Sequence, residues 1–272
     1  MSIVFPTAAQ AAQRIVSAIG APRRDATVDE FLYGDPNAAV TGIVTTMIAS
    51  SRVLQQAADS HANLVITHEP LFWDHRDEAR PDLIREADPV YREKLSCLEQ
   101  HGVVVWHLHD ALHDLRPDLV DVGTARRLGW TVPETVGYPT VLDIAPQTLA
   151  ELATTVADQL GAPATRFIGA GGMTCSRVGF ALGFRGATYI RHLLARPDIQ
   201  VVIAGEIHEW EIGGYVDDAV TLGFPKALLV VGHIPSEQYG MREIADIASH
   251  ALPGLPVSFI ACPDVYAGGI RR

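Results

Sequence analysis

Apolar residues along this chain follow two spacings. From Thr7 to Ile19, and again from Ser51 to Asp59, they recur every three or four residues, which predicts helices with one buried face. Gly20 and Pro22 stop the first helix, and Ser50 or Ser51 caps the second. Between and after these lie short unbroken apolar runs: Gly42 to Met47, Leu64 to Thr67, Val103 to Trp106, Ile199 to Ala204 and Ala227 to Val231. Their brevity and β-branched content predict buried strands. Further helices are predicted from Val90 to Gln100, closed by Gly102, and from Pro117 to Gly129. Another is predicted over Asp143 to Gly161, with Leu149, Leu152, Val156 and Leu160 on one face, and another begins within Ile234 to Glu237 and runs to about His250. A last strand is predicted over Leu255 to Ala261. Strands alternating with helices in this way give an α/β fold containing β-α-β units.

The strand endings carry the chemistry. Leu64 to Thr67 stops at His68, Glu69 and Pro70, and Pro70 biases the chain into an extended turn that aims the preceding side chains off the strand end. The Val103 to Trp106 strand ends in His107, His109, Asp110 and His113. Ile199 to Ala204 ends in Gly205, Glu206, Ile207, His208 and Glu209, and Ala227 to Val231 in Gly232, His233 and then Glu237. Each half of the chain therefore holds two apolar strands ending in imidazole and carboxylate. In open α/β sheets ligands collect outside the carboxyl ends of strands, so a shared site accounts for all four endings together. His107 and His113 read as ordinary loop histidines. Asp29, Glu30 and Asp35 read as a solvated loop, and His75 and Asp77 as members of a polar loop within reach of a neighbouring site.

Composition narrows the function classes. With 21 Lys plus Arg against 32 Asp plus Glu, the net charge of −11 has the wrong sign for tracking a phosphate backbone, which argues against nucleic acid as a partner. Cys97, Cys175 and Cys262 form no CxxC pair, so neither a disulfide framework nor a thiolate zinc site is indicated. The amino-terminal stretch lacks a basic region followed by an apolar one, and no apolar run approaches a membrane span. The expectation is a cytoplasmic protein without a membrane partner. The glycine-rich stretch from Phe167 to Ile190 contains neither GxxxxGK[ST] nor a strand-to-helix GxGxxG, so it predicts a turn between strands rather than a nucleotide cradle. Arg177 and Arg185 within it are minor candidates for meeting an anionic substrate. GxSxG and HExxH are absent too.

Imidazoles and carboxylates gathered together suit first-row divalent metals, and carboxylates can bridge two ions about 3.5–4 Å apart. Without a cation, so many acids in one place would repel one another.

The segments THEPLFW at 67–73, HLHD at 107–110, GEIHEW at 205–210 and GHIPSEQYGM at 232–241 resemble the NIF-three-like (NGG-one interacting factor) dinuclear metal-centre family, often labelled GTP cyclohydrolase I type 2. The resemblance runs from about Asp29 onward. It implies a single 272-residue domain of three-layer α/β/α architecture with mixed sheets, in two interleaved lobes related by a pseudo-dyad, without the inserted domain of some members. It implies two divalent ions, Mn, Fe, Mg or Zn, held by His68, Glu69, Asp110, His233 and Glu237, the last as a bridge. Glu206 and His208 are second-tier candidates, and His109 and His208 are the candidates for general acid. It also implies a homohexameric ring. Two patterns depart from the family: Glu69 stands where many members have a second histidine, and His109 directly precedes Asp110 where many have HxxxD. Exchanging imidazole for carboxylate hardens the site and favours manganese, iron or magnesium over copper or nickel. The expected function is a metal-dependent hydrolase acting on a small phosphorylated or heterocyclic molecule. The alternative is a metal-binding regulatory or metal-handling ring without turnover.

Overall fold

The unbroken apolar runs become the middle strands of two five-stranded mixed sheets, as a computed structural model of the chain shows for residues 5–74, 76, 78–133 and 137–266. His75 and Asp77 lie outside the described residues. The chain divides into two compact units whose segments interleave, Met1–Leu115 with Met241–Cys262, and Arg116–Gly240 with Pro263–Arg272.

The first unit contains α1 (Ala8–Ile19), β1 (Phe31–Tyr33), β2 (Ile43–Thr46), α2 (Ser51–Asp59), β3 (Leu64–Thr67), α3 (Arg80–Arg85), α4 (Pro89–His101), β4 (Val104–His107) and α5 (Asp110–His113). Its sheet has the order β1, β4, β3, β2 and then a strand near the chain end, in which only β1 runs antiparallel to its neighbour. Every residue of β2, β3 and β4 is buried, so these strands show no alternation of polar and apolar positions. That is what sheets covered on both faces require. Helix α1 forms where predicted because Thr7 and Gln10 make a capping box and Gly20, at φ +70°, closes it.

The second unit contains α6 (Leu119–Arg127), β5 (Val141–Thr148), α7 (Leu149–Leu160), β6 (Arg166–Ile168), β7 (Thr174–Ala181), α8 (Gly186–Ala195), β8 (Val201–Ala204), a π-helical turn at Glu209–Gly213, α9 (Gly214–Thr221) and β9 (Ala227–Val230). Its sheet order is β5, β7, β8, β9, β6, with the inner three parallel and the two edges antiparallel. Helix α10 (His233–Ala251) begins in this unit and ends in the first, where β10 (Val257–Phe259) completes the first sheet beside β2. Ile190, Leu193, Leu194, Val202 and Leu228 form the core between α8 and the second sheet. Burying side chains of this kind stabilises by about 1.5–3 kcal/mol each.

Two expectations shift. The helix predicted from Asp143 starts only at Leu149, since Pro146 is incompatible with a helix interior and the capping box begins at Thr148 and Glu151. Asp143 and Gln147 instead pair with β7. The glycine-rich stretch predicted as a turn contains all of β7, whose first half is partly polar and exposed, while its last four residues are buried.

Candidate metal centre

In the first unit β3 and β4 run parallel in register, Thr67 beside His107, so their ends deliver His68 and His107 next to each other. The ladder continues one step past β3, with His68 and Glu69 donating their backbone N–H groups to Thr46 and Met47 carbonyls at 3.1 and 2.9 Å. Pro70 then ends the pairing, as a residue lacking a donor must. Buried Lys94 pins the following turn by donating to the Leu71 carbonyl, and its ammonium lies 5.6 and 5.2 Å from the rings of Phe72 and Trp73. Burial pushes this lysine down to about 8.

The His68 side chain is fully buried. The His109 ring stacks on it at 4.6 Å, and the His113 ring sits edge-on to both, at 5.2 Å from His68 and 4.7 Å from His109. One ligand nitrogen from each of the three lies within 4.8 Å of the others. Burial pushes His109 down to about 3, with the neighbouring His68 and His113 adding to the effect, so the ring is neutral near pH 7. Neutral imidazole is the form that ligates metal. The three-imidazole donor set therefore fits a divalent cation such as Zn or Fe. His107 is not a loop residue but the last residue of β4; its Nε2 donates to the His68 carbonyl at 2.9 Å, and burial lowers its pKa.

Helix α5 owes its placement to Asp29, whose carboxylate accepts from the backbone N–H groups of His109, Asp110 and Ala111 at 2.7, 2.8 and 2.9 Å. Asp29 is therefore a helix cap rather than a solvated loop residue. The carboxylate of Asp110 points elsewhere than its expected role as a ligand would suggest. One oxygen faces His109 Nδ1 at 3.1 Å, and the other accepts from the Thr27 hydroxyl at 3.0 Å and Val28 N–H at 3.2 Å, with Arg24 at 3.1 Å. Burial works to raise its pKa, but these donors and the Arg24 charge together hold it below the usual carboxylate range. No cluster of three ligand atoms among the described residues includes Asp110.

In the second unit a glycine follows each inner strand, directly or after one intervening residue: Gly183 after β7, Gly205 after β8 and Gly232 after β9. Gly183 has φ +64°, and a Cβ there would lie 2.2 Å from Glu237 Oε1. At Gly205 a Cβ would lie 2.5 Å from the Gly183 carbonyl oxygen and 2.6 Å from Ser236 Oγ. The Ser236 hydroxyl accepts from Gly183 N–H at 3.0 Å and donates to the His233 carbonyl at 2.7 Å, which ties the start of α10 to the end of β7. Glu237, only 4% exposed, occupies the space that the missing Gly183 side chain leaves. His233 lies four residues earlier on the helix, with Nε2 3.0 Å from Glu237 Oε2 and Nδ1 3.4 Å from Glu206. His208 pairs with Glu211 at 3.2 Å, and its ring lies 5.0 Å from that of Phe184. Arg185 faces buried Asp118 at 3.1 Å and the Tyr138 hydroxyl at 3.3 Å, an internal role rather than a surface one. Nearby Asp121 is pushed up to about 7 by burial and then by Asp118.

Of the residues predicted from sequence, His68 and His109 come together in the first unit, with Glu69 adjoining, and His233, Glu237 and Glu206 in the second. His113, which reads from sequence as an ordinary loop histidine, closes α5 beside the His68 and His109 rings. The signal for it was its i,i+4 spacing from His109, which sets both rings on one face of a helical turn.

Two mixed α/β sheets whose strand ends carry histidines and carboxylates define a candidate metal-binding α/β protein. The model of the family described as Duf34/NIF3 (NGG1p interacting factor 3) matches residues 26–264, and the chain belongs to that family. No curated protein matches the chain significantly. Among solved structures it is similar to Staphylococcus aureus hypothetical protein SA1388, at 16% identity and TM-score 0.75, covering 98% of this chain and 100% of that one. It is also similar to a Bacillus cereus protein related to NIF3, at 11% identity and TM-score 0.74, covering 97% and 100%. Protein ybgI, described as of unknown function, matches at 22% identity and TM-score 0.72, covering 96% and 100%. At these identities the likeness is one of fold. Among the described residues, no helix is long and apolar enough to cross a membrane.

Proposed function

We propose that the protein is a metal-dependent hydrolase that binds two divalent ions per chain and acts on a small phosphorylated or heterocyclic molecule. Its ligands are drawn from His68, Glu69, His109 and His113 in the first unit and from His233 and Glu237 in the second. The observation that carries this reading is the gathering of three imidazole ligand atoms within 4.8 Å, one of the rings fully buried. Three imidazoles so close gain little from one another and repel if protonated, whereas a cation is bound by all of them. Bound ions would supply Lewis acidity and acidify water for attack on the substrate. His208, oriented by Glu211, is the residue proposed to deliver a proton to the leaving group. The family likeness also supports a homohexamer of the 29.4 kDa chain, which light scattering checks directly.

Protein stripped with chelator, reloaded and assayed by metal analysis is expected to hold two ions per chain; less than one would overturn the reading. Metal-loaded wild type is then compared with Glu237→Ala on phosphoesters, nucleotides and cyclic amides. Equal rates would replace the hydrolase with the metal-handling alternative.

A further inference from the structure

We infer that Asp110 is a positioning residue: its carboxylate holds His109 Nδ1 so that the ring presents Nε2 to a metal ion shared with His68 and His113. The inference rests on the metal reading above and assigns a role that the sequence pattern does not, since the pattern makes Asp110 a ligand itself.

An ionised carboxylate only accepts hydrogen bonds, so the 3.1 Å contact places a proton on His109 Nδ1. The lone pair of that ring then belongs to Nε2. Asp110 is itself immobilised, because its second oxygen accepts from Thr27 and Val28 and faces Arg24, and its backbone N–H is anchored on Asp29. The same Asp29 carboxylate accepts from His109 N–H at 2.7 Å, so backbone and ring of His109 are fixed by two different acids. Such carboxylate-to-histidine contacts set the tautomer and ring orientation of a ligating imidazole, and losing one typically costs about 10- to 100-fold in metal affinity. A ligand with four donors already converging on its two oxygens would have to exchange them for the metal; a positioning residue keeps them.

Two measurements test this, one with metal and one without. Wild type, Asp110→Ala and Asp110→Asn are titrated with Co²⁺, reading affinity, stoichiometry and the visible cobalt bands, with far-UV circular dichroism confirming the fold. Asp110→Ala is expected to bind about 10- to 100-fold more weakly with unchanged band positions and stoichiometry. Asp110→Asn, which keeps an acceptor for the Nδ1 proton, is expected to recover most of the affinity. It also carries the test should the alanine variant fail to fold. Shifted bands with a lost ion would make Asp110 a ligand and overturn the inference, as would an affinity within twofold of wild type. In metal-free protein, imidazole ¹⁵N spectra are expected to show His109 as the Nδ1–H tautomer in wild type and as a mixture in Asp110→Ala. The Nε2–H tautomer in wild type would overturn the inference even if metal binds. If wild type shows the Nδ1–H tautomer but takes up no cobalt, the metal reading falls and the positioning contact stands alone.

Discussion

The two units use the same strand-end placement but fix their candidate ligands by opposite means. In the first, His109 is held by added bonds: two acids, an arginine, a hydroxyl and four backbone N–H groups converge around Asp29 and Asp110. In the second, Glu237 is held by removed atoms, since glycines at 183 and 205 leave the space its carboxylate and Ser236 occupy. The difference teaches where each half is fragile. A site fixed by bonds should degrade by steps as bonds are removed, whereas a site fixed by space should fail at once when a methyl group is added.

Gly183→Ala is therefore expected to have the largest effect. The new Cβ meets the Glu237 carboxyl group at a position of positive φ, and the combined strain should cost about 2–4 kcal/mol in urea unfolding. A cost below about 0.5 kcal/mol would remove the contrast between the units.

Next in size, His113→Ala in the first unit should weaken metal binding by more than the about 10- to 100-fold expected of a supporting contact, read by competition with a chelating dye. An affinity equal to wild type would leave His113 a bystander.

A smaller effect separates the units by pH in metal-free protein. His109 titrates at about 3 when folded and near 6.5 when unfolded, so between those values the unfolded chain binds the extra proton. The first unit should lose stability as pH falls below about 6.5. Asp121 titrates at about 7 folded and near 3.8 unfolded, so here the folded chain binds the extra proton. Stability of the second unit should fall as pH rises through that window. Hydrogen exchange in β3 and β4 against β8 and β9 reads the two trends separately, and His109→Gln and Asp121→Asn should each flatten one of them. Parallel trends in both sheets would contradict the assignment.

Arg24→Ala should do least. Its side chain is 42% exposed and its partners Asp110 and Asp114 lie near the surface, so the loss in thermal or urea unfolding should stay within about 1 kcal/mol. A larger loss would mean that the bonded network is less redundant than its many contacts suggest.

Much of this was legible beforehand because it depends on local rules. The buried runs became β2, β3, β4, β8 and β9, and the capping residue Ser50 starts α2. The polar endings at His68, His109, His233 and Glu237 are legible because a short apolar strand that stops abruptly in imidazole or carboxylate is visible in one dimension. The directions of Asp110 and His113 are not legible in the same way: adjacency along the chain does not reveal which way a short helical turn rotates. Asp29 was misread because its partners are 80 to 82 residues away.

The chain by itself determined which segments are strands and which residue types stand at their ends, since periodicity, capping and proline act within a few residues. Only the folded structure decided which nitrogen or oxygen each of those residues turns toward its neighbours. That choice is set by distant partners, Asp29 and Arg24 for α5 and Gly183 for Glu237, and by whether a single methyl group has room.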